Sequence, residues 1–103
     1  MMNNINLIGR LTQDPDIRYT QAGKEVASFT IAVTRQFKRD ETDFINCTAW
    51  GKIAELAGSY LKKGHRVGIQ GSIRVSSYEN ENGEKRKSFE VTINNLEFLE
   101  SKK

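Results

Sequence analysis

Apolar and polar residues alternate with a period of two along most of this chain, and this alternation constrains the fold more than any other feature. In the clearest run, residues 27–34, every second residue is apolar: Ala27, Phe29, Ile31 and Val33. Similar patterns over residues 5–11, 44–50, 67–75 and 89–93 predict further strands, because successive strand side chains point to opposite faces. The sequence therefore predicts a mainly β fold with five main strands.

One segment has a helical period instead. Its apolar residues follow the spacing i, i+3, i+4, i+7, i+8: Ile53, Leu56, Ala57, Tyr60 and Leu61. This spacing predicts one helix of about ten residues between the third and fourth strands. The helix is predicted to end at Lys62, Lys63 and Gly64. Cations stabilise the negative, C-terminal end of a helix, and glycine readily adopts the left-handed conformation of a C-cap.

Glycine and asparagine mark the places where strands bend or turn. Gly9 and Gly71 interrupt strand patterns and predict bulges or close backbone approaches. Asn82-Gly83 predicts the tip of a long hairpin between the fourth and fifth strands. Three apolar residues of this hairpin are in phase with core residues: Ile73 and Val75 in its first strand, and Phe89 in its second strand.

This order of elements is that of the OB-fold, a five-stranded Greek-key barrel. A chain of 103 residues has the size of one domain, so we expect residues 1–103 to form a single OB-fold domain. Pro15 marks an early turn after the first strand.

Several classes of protein are excluded or disfavoured by composition. The single cysteine, Cys47, cannot form an internal disulfide, and with the single histidine, His65, it cannot form the usual zinc site. No nucleophile and base, carboxylate pair or glycine-rich phosphate loop is recognisable, which predicts a protein that is not an enzyme and needs no cofactor or metal. The absence of a signal-like or long apolar segment predicts a cytoplasmic protein without membrane association.

The aromatic residues indicate a function. Residues 45, 47 and 49 supply the core face of the third strand, so Phe44 and Trp50 share the opposite, polar face, six residues or roughly 20 Å apart. Tyr78 is on the polar side of its strand, and Phe37 lies beside the basic loop Lys38-Arg39. Exposed rings interleaved with cations are typical of surfaces that bind single-stranded nucleic acid.

The net charge of +3 is compatible with a polyanionic ligand. The cations that we expect to contact phosphates are Arg35, Lys38, Lys52, Lys63, Arg74 and Arg86. Two structural alternatives remain for the rings: Phe44 or Trp50 packs in an interface between subunits, or Phe37 folds back onto the barrel.

Seven segments in order resemble the bacterial single-stranded DNA-binding protein family, from Asn3 to about Glu100. They are Asn4–Leu11, Asp14–Tyr19, Val26–Val33, Asp43–Cys47, Trp50–Lys52, Tyr60–Gly64 and Tyr78–Asn80. The resemblance implies an OB-fold core, usually a homotetramer, that binds single-stranded DNA without sequence preference in replication, repair and recombination. It also implies base stacking by the same four rings, and pairing of subunits through the first strand.

The sequence departs from the family pattern at its end, where Glu100-Ser101-Lys102-Lys103 replaces the usual flexible linker and acidic tip. We therefore do not expect tail-mediated protein partners, whether the chain is a core fragment, a short paralogue or a mobile-element version. Two other functions remain open: an OB-fold adaptor whose barrel face binds a protein, and binding of single-stranded RNA.

Overall fold

The computed structural model describes residues 1–38 and 40–99. Arg39 of the predicted basic loop and residues 100–103, at the end of the predicted domain, lie outside the described residues. The elements are β1 (Ile5–Leu11), β2 (Asp16–Tyr19), β3 (Glu25–Thr34), β4 (Thr42–Trp50), α1 (Gly51–Tyr60), β5 (Arg66–Glu79) and β6 (Lys85–Phe98).

The strands form one sheet that closes on itself. Their order is β1-β5-β6-β4-β3-β2, and β1 also pairs with β3 at Arg10–Ala32 and Leu11–Ile31. All neighbours are antiparallel except β4 and β6, which run parallel at Cys47–Val91 and Thr48–Thr92. This closed, mainly β architecture with one helix confirms the predicted OB-fold. The structure adds one short strand, β2, which follows the predicted turn at Pro15.

The core lies inside this barrel and is built from alternate residues of its strands. In β3, for example, Ala27, Phe29 and Ile31 are buried, whereas Ser28 between them is exposed. α1 packs against β3 and β4 and buries Ala54 and Ala57. Burial of apolar side chains is the main favourable term in folding, so the strand alternation that fills this core also fixes which residues remain on the outside.

Two glycines allow the backbone to bend tightly enough to close the barrel. A Cβ atom on Gly9 would lie 2.7 Å from the carbonyl oxygen of Ala32, where β1 approaches β3. The register of β5 against β6 shifts between Gln70 and Gly71, and a Cβ atom on Gly71 would overlap the carbonyl oxygen of Thr92. The predicted close approach and bulge are therefore confirmed.

The end of the helix differs from the prediction. α1 ends at Tyr60, and Leu61 is already extended, with its amide donating to the carbonyl oxygen of Ala57 at 2.9 Å. Lys62 and Lys63 lie beyond the last turn, so the predicted cap is wrong. Leu61 is buried in the core although it is no longer helical, and Gly64 takes a left-handed conformation in the following turn (φ +86°).

The hairpin of β5 and β6 extends beyond the barrel as an arm. Each strand has 14 residues, and β6 pairs with β4 at only two positions. Ile73, Val75 and Phe89 are consequently 41%, 53% and 61% exposed, so their predicted place in the core is wrong. Strand phase predicts which face a residue occupies, but not where the opposing layer of the barrel ends.

At the tip of the arm, Gly83 has a positive φ and its amide donates to the carbonyl oxygen of Asn80. The side-chain oxygen of Asn80 accepts hydrogen bonds from the amides of Asn82 and Glu84 at 3.0 and 2.9 Å. The predicted hairpin is confirmed. Within the two described ranges, no helix has both the length and the apolar character needed to cross a membrane.

Candidate nucleic-acid interface

The outer face of β4 presents two aromatic rings with polar residues between them. Phe44 is 66% exposed and Trp50 is 45% exposed, while Cys47 and Ala49 point into the core. Asn46 lies between the two rings in the strand. Because this face carries large apolar side chains without packing partners from the core, it has the composition of a binding surface.

A shallow groove on this face has a polar floor. The hydroxyl of Thr30 donates to the side-chain oxygen of Asn46 at 2.9 Å, which joins β3 to β4. The hydroxyl of Thr48 donates to a carboxylate oxygen of Glu90 at 2.6 Å, which joins β4 to β6. Asp14, in the loop between β1 and β2, forms part of the groove wall. Hydrogen-bonded side chains of this kind give the groove a fixed shape.

The arm continues the same outer face. Glu90 lies opposite Arg74 in the register of β5 and β6, and Tyr78 lies opposite Arg86 further along the arm. Paired residues in antiparallel strands project from the same side of the sheet. The Thr48–Glu90 hydrogen bond therefore connects the surface of β4 with the side of the arm that carries Tyr78, which is 52% exposed.

Phe37 lies in the loop between β3 and β4 and is 91% exposed, so it does not fold back onto the barrel within this chain. The amide of Glu41 donates to the carbonyl oxygen of Lys38 at 2.9 Å, which closes a turn next to this ring. Lys38 is itself exposed. The structure thus presents a ring and a cation together in this loop.

Arg35, by contrast, is engaged in ion pairs. Its guanidinium contacts Asp43 through two nitrogens at 3.0 and 3.1 Å and Glu41 at 2.9 Å. The Asp43 pKa is lowered by the hydrogen bond from Arg35, and the Arg35 pKa is raised by the same contact. A phosphate would have to compete with two carboxylates for this guanidinium, so Arg35 primarily fixes the start of the loop.

Three other predicted cations lie in different elements of the fold. Lys52 is exposed in the first turn of α1, two residues after Trp50. The backbone amide of Lys63 donates to a carboxylate oxygen of Asp14, a residue of the groove wall, at 2.8 Å. Arg86 lies 3.5 Å from a carboxylate oxygen of Glu84.

Sequence reasoning missed the carboxylates of this surface. Glu90 lies between Phe89 and Val91, so strand phase alone predicts that it is on the outer face. Its hydrogen bond to Thr48 cannot be predicted in this way, because it requires the parallel pairing of β4 and β6.

Cys47 lies on the opposite, core side of β4. Burial raises the pKa of its thiol to about 12, with a smaller contribution from Glu90. A thiol with this pKa stays protonated and unreactive near neutral pH.

Comparison with known proteins shows the family of this chain. Residues 2–99 match the model of the single-strand binding protein family. Similar proteins include the single-stranded DNA-binding protein of Clostridium perfringens, which is 46% identical over 97% of this chain and 67% of its own length. The corresponding protein of Enterococcus faecalis is 46% identical over 99% of this chain and 56% of its own length.

A shorter relative is covered almost completely. Single-stranded DNA-binding protein B of Bacillus subtilis is 46% identical over 99% of this chain and 94% of its own length. The chain thus spans between about half and nearly all of the relatives that it matches. On the family match, these identities and the closed barrel, the chain belongs to the single-strand binding protein family.

Proposed function

We propose that this chain binds single-stranded DNA without sequence preference, in DNA replication, repair and recombination, as a protein that protects the strand rather than an enzyme. The observation that carries the proposal is the continuous outer face on which Phe44, Trp50 and Tyr78 are exposed. The names of the relatives, which are single-stranded DNA-binding proteins, support the same ligand.

Bases stack on the exposed rings, because every base has a π face and stacking therefore tolerates any sequence. Phe37 extends this series in the neighbouring loop. Lys52 and Arg74 lie close to these rings in the chain and are suited to contact the phosphates that run between stacked bases. We propose the same role for Lys38, Lys63 and Arg86. We expect Arg35 to contribute less to phosphate binding, because two carboxylates already engage its guanidinium.

We further propose that the protein acts as a homo-oligomer, a tetramer by analogy with its family. Residues 5–9 of β1 pair with β5 on one side, whereas β1 meets β3 only at Arg10 and Leu11. A strand edge of this kind presents unpaired amide and carbonyl groups, which a second copy of β1 would satisfy.

The first experiment is a titration of Trp50 fluorescence with oligothymidine at low and high salt. Trp50 is the only tryptophan, so the signal reports the proposed face directly. We expect strong quenching that weakens as salt rises, with a slope of roughly 0.7 per phosphate contact, because bound cations release counterions from the strand. Light scattering gives the mass of the assembly in the same samples.

Duplex DNA and a matched RNA oligomer serve as competitors. Quenching by duplex equal to that by the single strand, or an affinity that does not depend on salt, would contradict the mechanism. Preference for RNA would change the ligand while keeping the stacking surface. No quenching and no binding would favour the alternative of an adaptor that uses this face for a protein partner.

The substitution Glu90→Gln tests the charge of the groove. The amide oxygen can still accept the hydrogen bond from Thr48, but a negative charge beside the proposed phosphate path is removed. We expect DNA affinity at low salt to rise by about 0.2–1 kcal/mol, the range typical of one charge pair near a protein surface, and the gain to shrink at high salt. Anisotropy of a labelled oligothymidine measures both values.

The matched control is Glu55→Gln, which makes the same change in net charge on the exposed side of α1. An equal gain in both variants would mean that overall charge, and not the position of Glu90, controls the affinity.

A further inference from the structure

The arm has a second face, opposite to the one that carries Tyr78, and this face is also aromatic. Val75 and Phe89 lie opposite each other on it, beyond the end of the barrel core. They are 53% and 61% exposed, so this part of the arm lacks a covering layer within the chain. An exposed ring beside an exposed valine indicates a contact surface.

Phe89 is also linked to the proposed DNA-binding face. β4 and β6 pair only at Cys47–Val91 and Thr48–Thr92, and toward their first residues the two strands separate. The cleft that opens between them is lined by Phe44 and Phe89, with Ile5 and Ile73 also contributing. One of its two rings therefore already belongs to the proposed stacking surface.

The root of the arm beside this cleft is held in place. The side-chain amide of Asn3 donates to the carbonyl oxygen of Ile73 at 3.0 Å, and its oxygen accepts from the Ile73 amide at 3.0 Å. This pair of bonds fixes the backbone opposite Val91 and limits the movement of the arm relative to β1. The cleft is therefore a preformed feature that a ligand does not have to order.

Charge on this second face favours a polyanion. Lys85 and Lys87 precede Phe89 at alternate positions of β6 and so project from the same side. Lys87 lies opposite Ser77, whereas Lys85 lies opposite Glu79 and is partly compensated. Phe89 and Lys87 thus place a ring and a cation two residues apart on this face of the arm.

We propose that Phe89 stacks a base of single-stranded DNA in the cleft beside Phe44, and that Lys87 guides the next phosphates along the second face of the arm. This inference rests on the proposed function and extends it, since the strand then contacts both faces of the arm. A second copy of the chain is the competing occupant of this apolar surface. The two rings in one cleft and the cation beside them favour DNA.

The decisive variant carries Phe89→Trp together with Trp50→Phe, so that the only indole lies in the cleft. A short oligothymidine of about 8 nucleotides, within the range that one OB-fold binds, serves as one probe, and an oligomer of about 30 nucleotides as the other. We expect the long oligomer to quench the introduced indole. Absence of quenching, while Trp50 of the unmodified protein is quenched, would overturn this inference and leave the proposed function intact.

The variant Phe89→Ala in the unmodified background measures the contribution to affinity. We expect affinity for the long oligomer to fall about 5-fold or more, and affinity for the short oligomer to change much less. Val75→Ala is the matched control, because it shortens the cross-strand neighbour on the same face without removing a ring. Light scattering provides the second readout: a lower mass of the Phe89→Ala variant with unchanged DNA affinity would assign the face to a second copy and overturn the inference.

Failure of the two proposals is distinguishable. If neither Trp50 in the unmodified protein nor the introduced indole responds, and anisotropy of the labelled oligomers detects no binding, the proposed function itself fails. If Trp50 responds and the introduced indole does not, only the second contact fails. Circular dichroism and thermal unfolding of each variant show that the barrel is retained.

Discussion

Replacement of Trp50 by alanine is expected to weaken binding of single-stranded DNA by about 1–3 kcal/mol, or roughly 5- to 150-fold in the dissociation constant. The ring lies at the end of the outer face of β4 and is 45% exposed. Trp50 is also the residue that precedes α1, but its side chain makes no capping hydrogen bond there. The substitution therefore removes stacking area and leaves the start of the helix unchanged.

Binding is measured by anisotropy of a labelled oligothymidine, because the substitution removes the intrinsic fluorophore. Trp50→Phe retains a smaller ring and is expected to lose only part of the affinity. Tyr60→Ala is the matched control, since Tyr60 is an exposed ring of α1 that packs edge-to-face against Phe98 instead of lying on the outer face. A large fall in melting temperature with unchanged DNA affinity for Trp50→Ala would place the ring in an interface between subunits.

Alternation of residue types predicts most of this fold, because it records the side of each strand that faces the core. It correctly separates Phe44 and Trp50 from Cys47 and Ala49. The same information fails at Phe89, which has the phase of a core residue but lies where β6 has already left the barrel. Phase is a property of one strand, whereas burial depends on whether another layer covers it.

The interactions that shape the candidate site are harder to predict, because they connect residues that are distant in sequence. Thr48 and Glu90 are 42 positions apart, and their hydrogen bond depends on the parallel pairing of β4 and β6. Arg35 is identifiable as a cation from sequence, but its engagement by Asp43 becomes visible only when β3 and β4 are paired. The sequence thus indicates the chemistry of the surface, and the pairing of strands determines which charges on it are free to contact a ligand.

Replacement of Gly71 by alanine is expected to destabilise the barrel by about 3 kcal/mol or more, at the upper end of the cost of overpacking. The added Cβ atom would overlap the carbonyl oxygen of Thr92. This oxygen cannot move away easily, because Thr92 is paired with Ser72 of β5 on one side and with Thr48 of β4 on the other. At ~4–8 °C per kcal/mol for a domain of this size, thermal unfolding should show a fall of roughly 12 °C or more.

Gly68→Ala is the matched control for this clash, since Gly68 lies in the same strand and also lacks a positive φ. A Cβ atom there would meet only side-chain atoms at ordinary distances, 3.6 Å from Leu99, 3.8 Å from Glu97 and 3.9 Å from Ile8. We therefore expect Gly68→Ala to change stability by less than about 1 kcal/mol, because loss of glycine flexibility in the unfolded chain offsets small packing costs. Equal melting temperatures for the two variants, at equal assembly mass, would show that the bulge at Gly71 relaxes and that barrel closure does not depend on a glycine at this position.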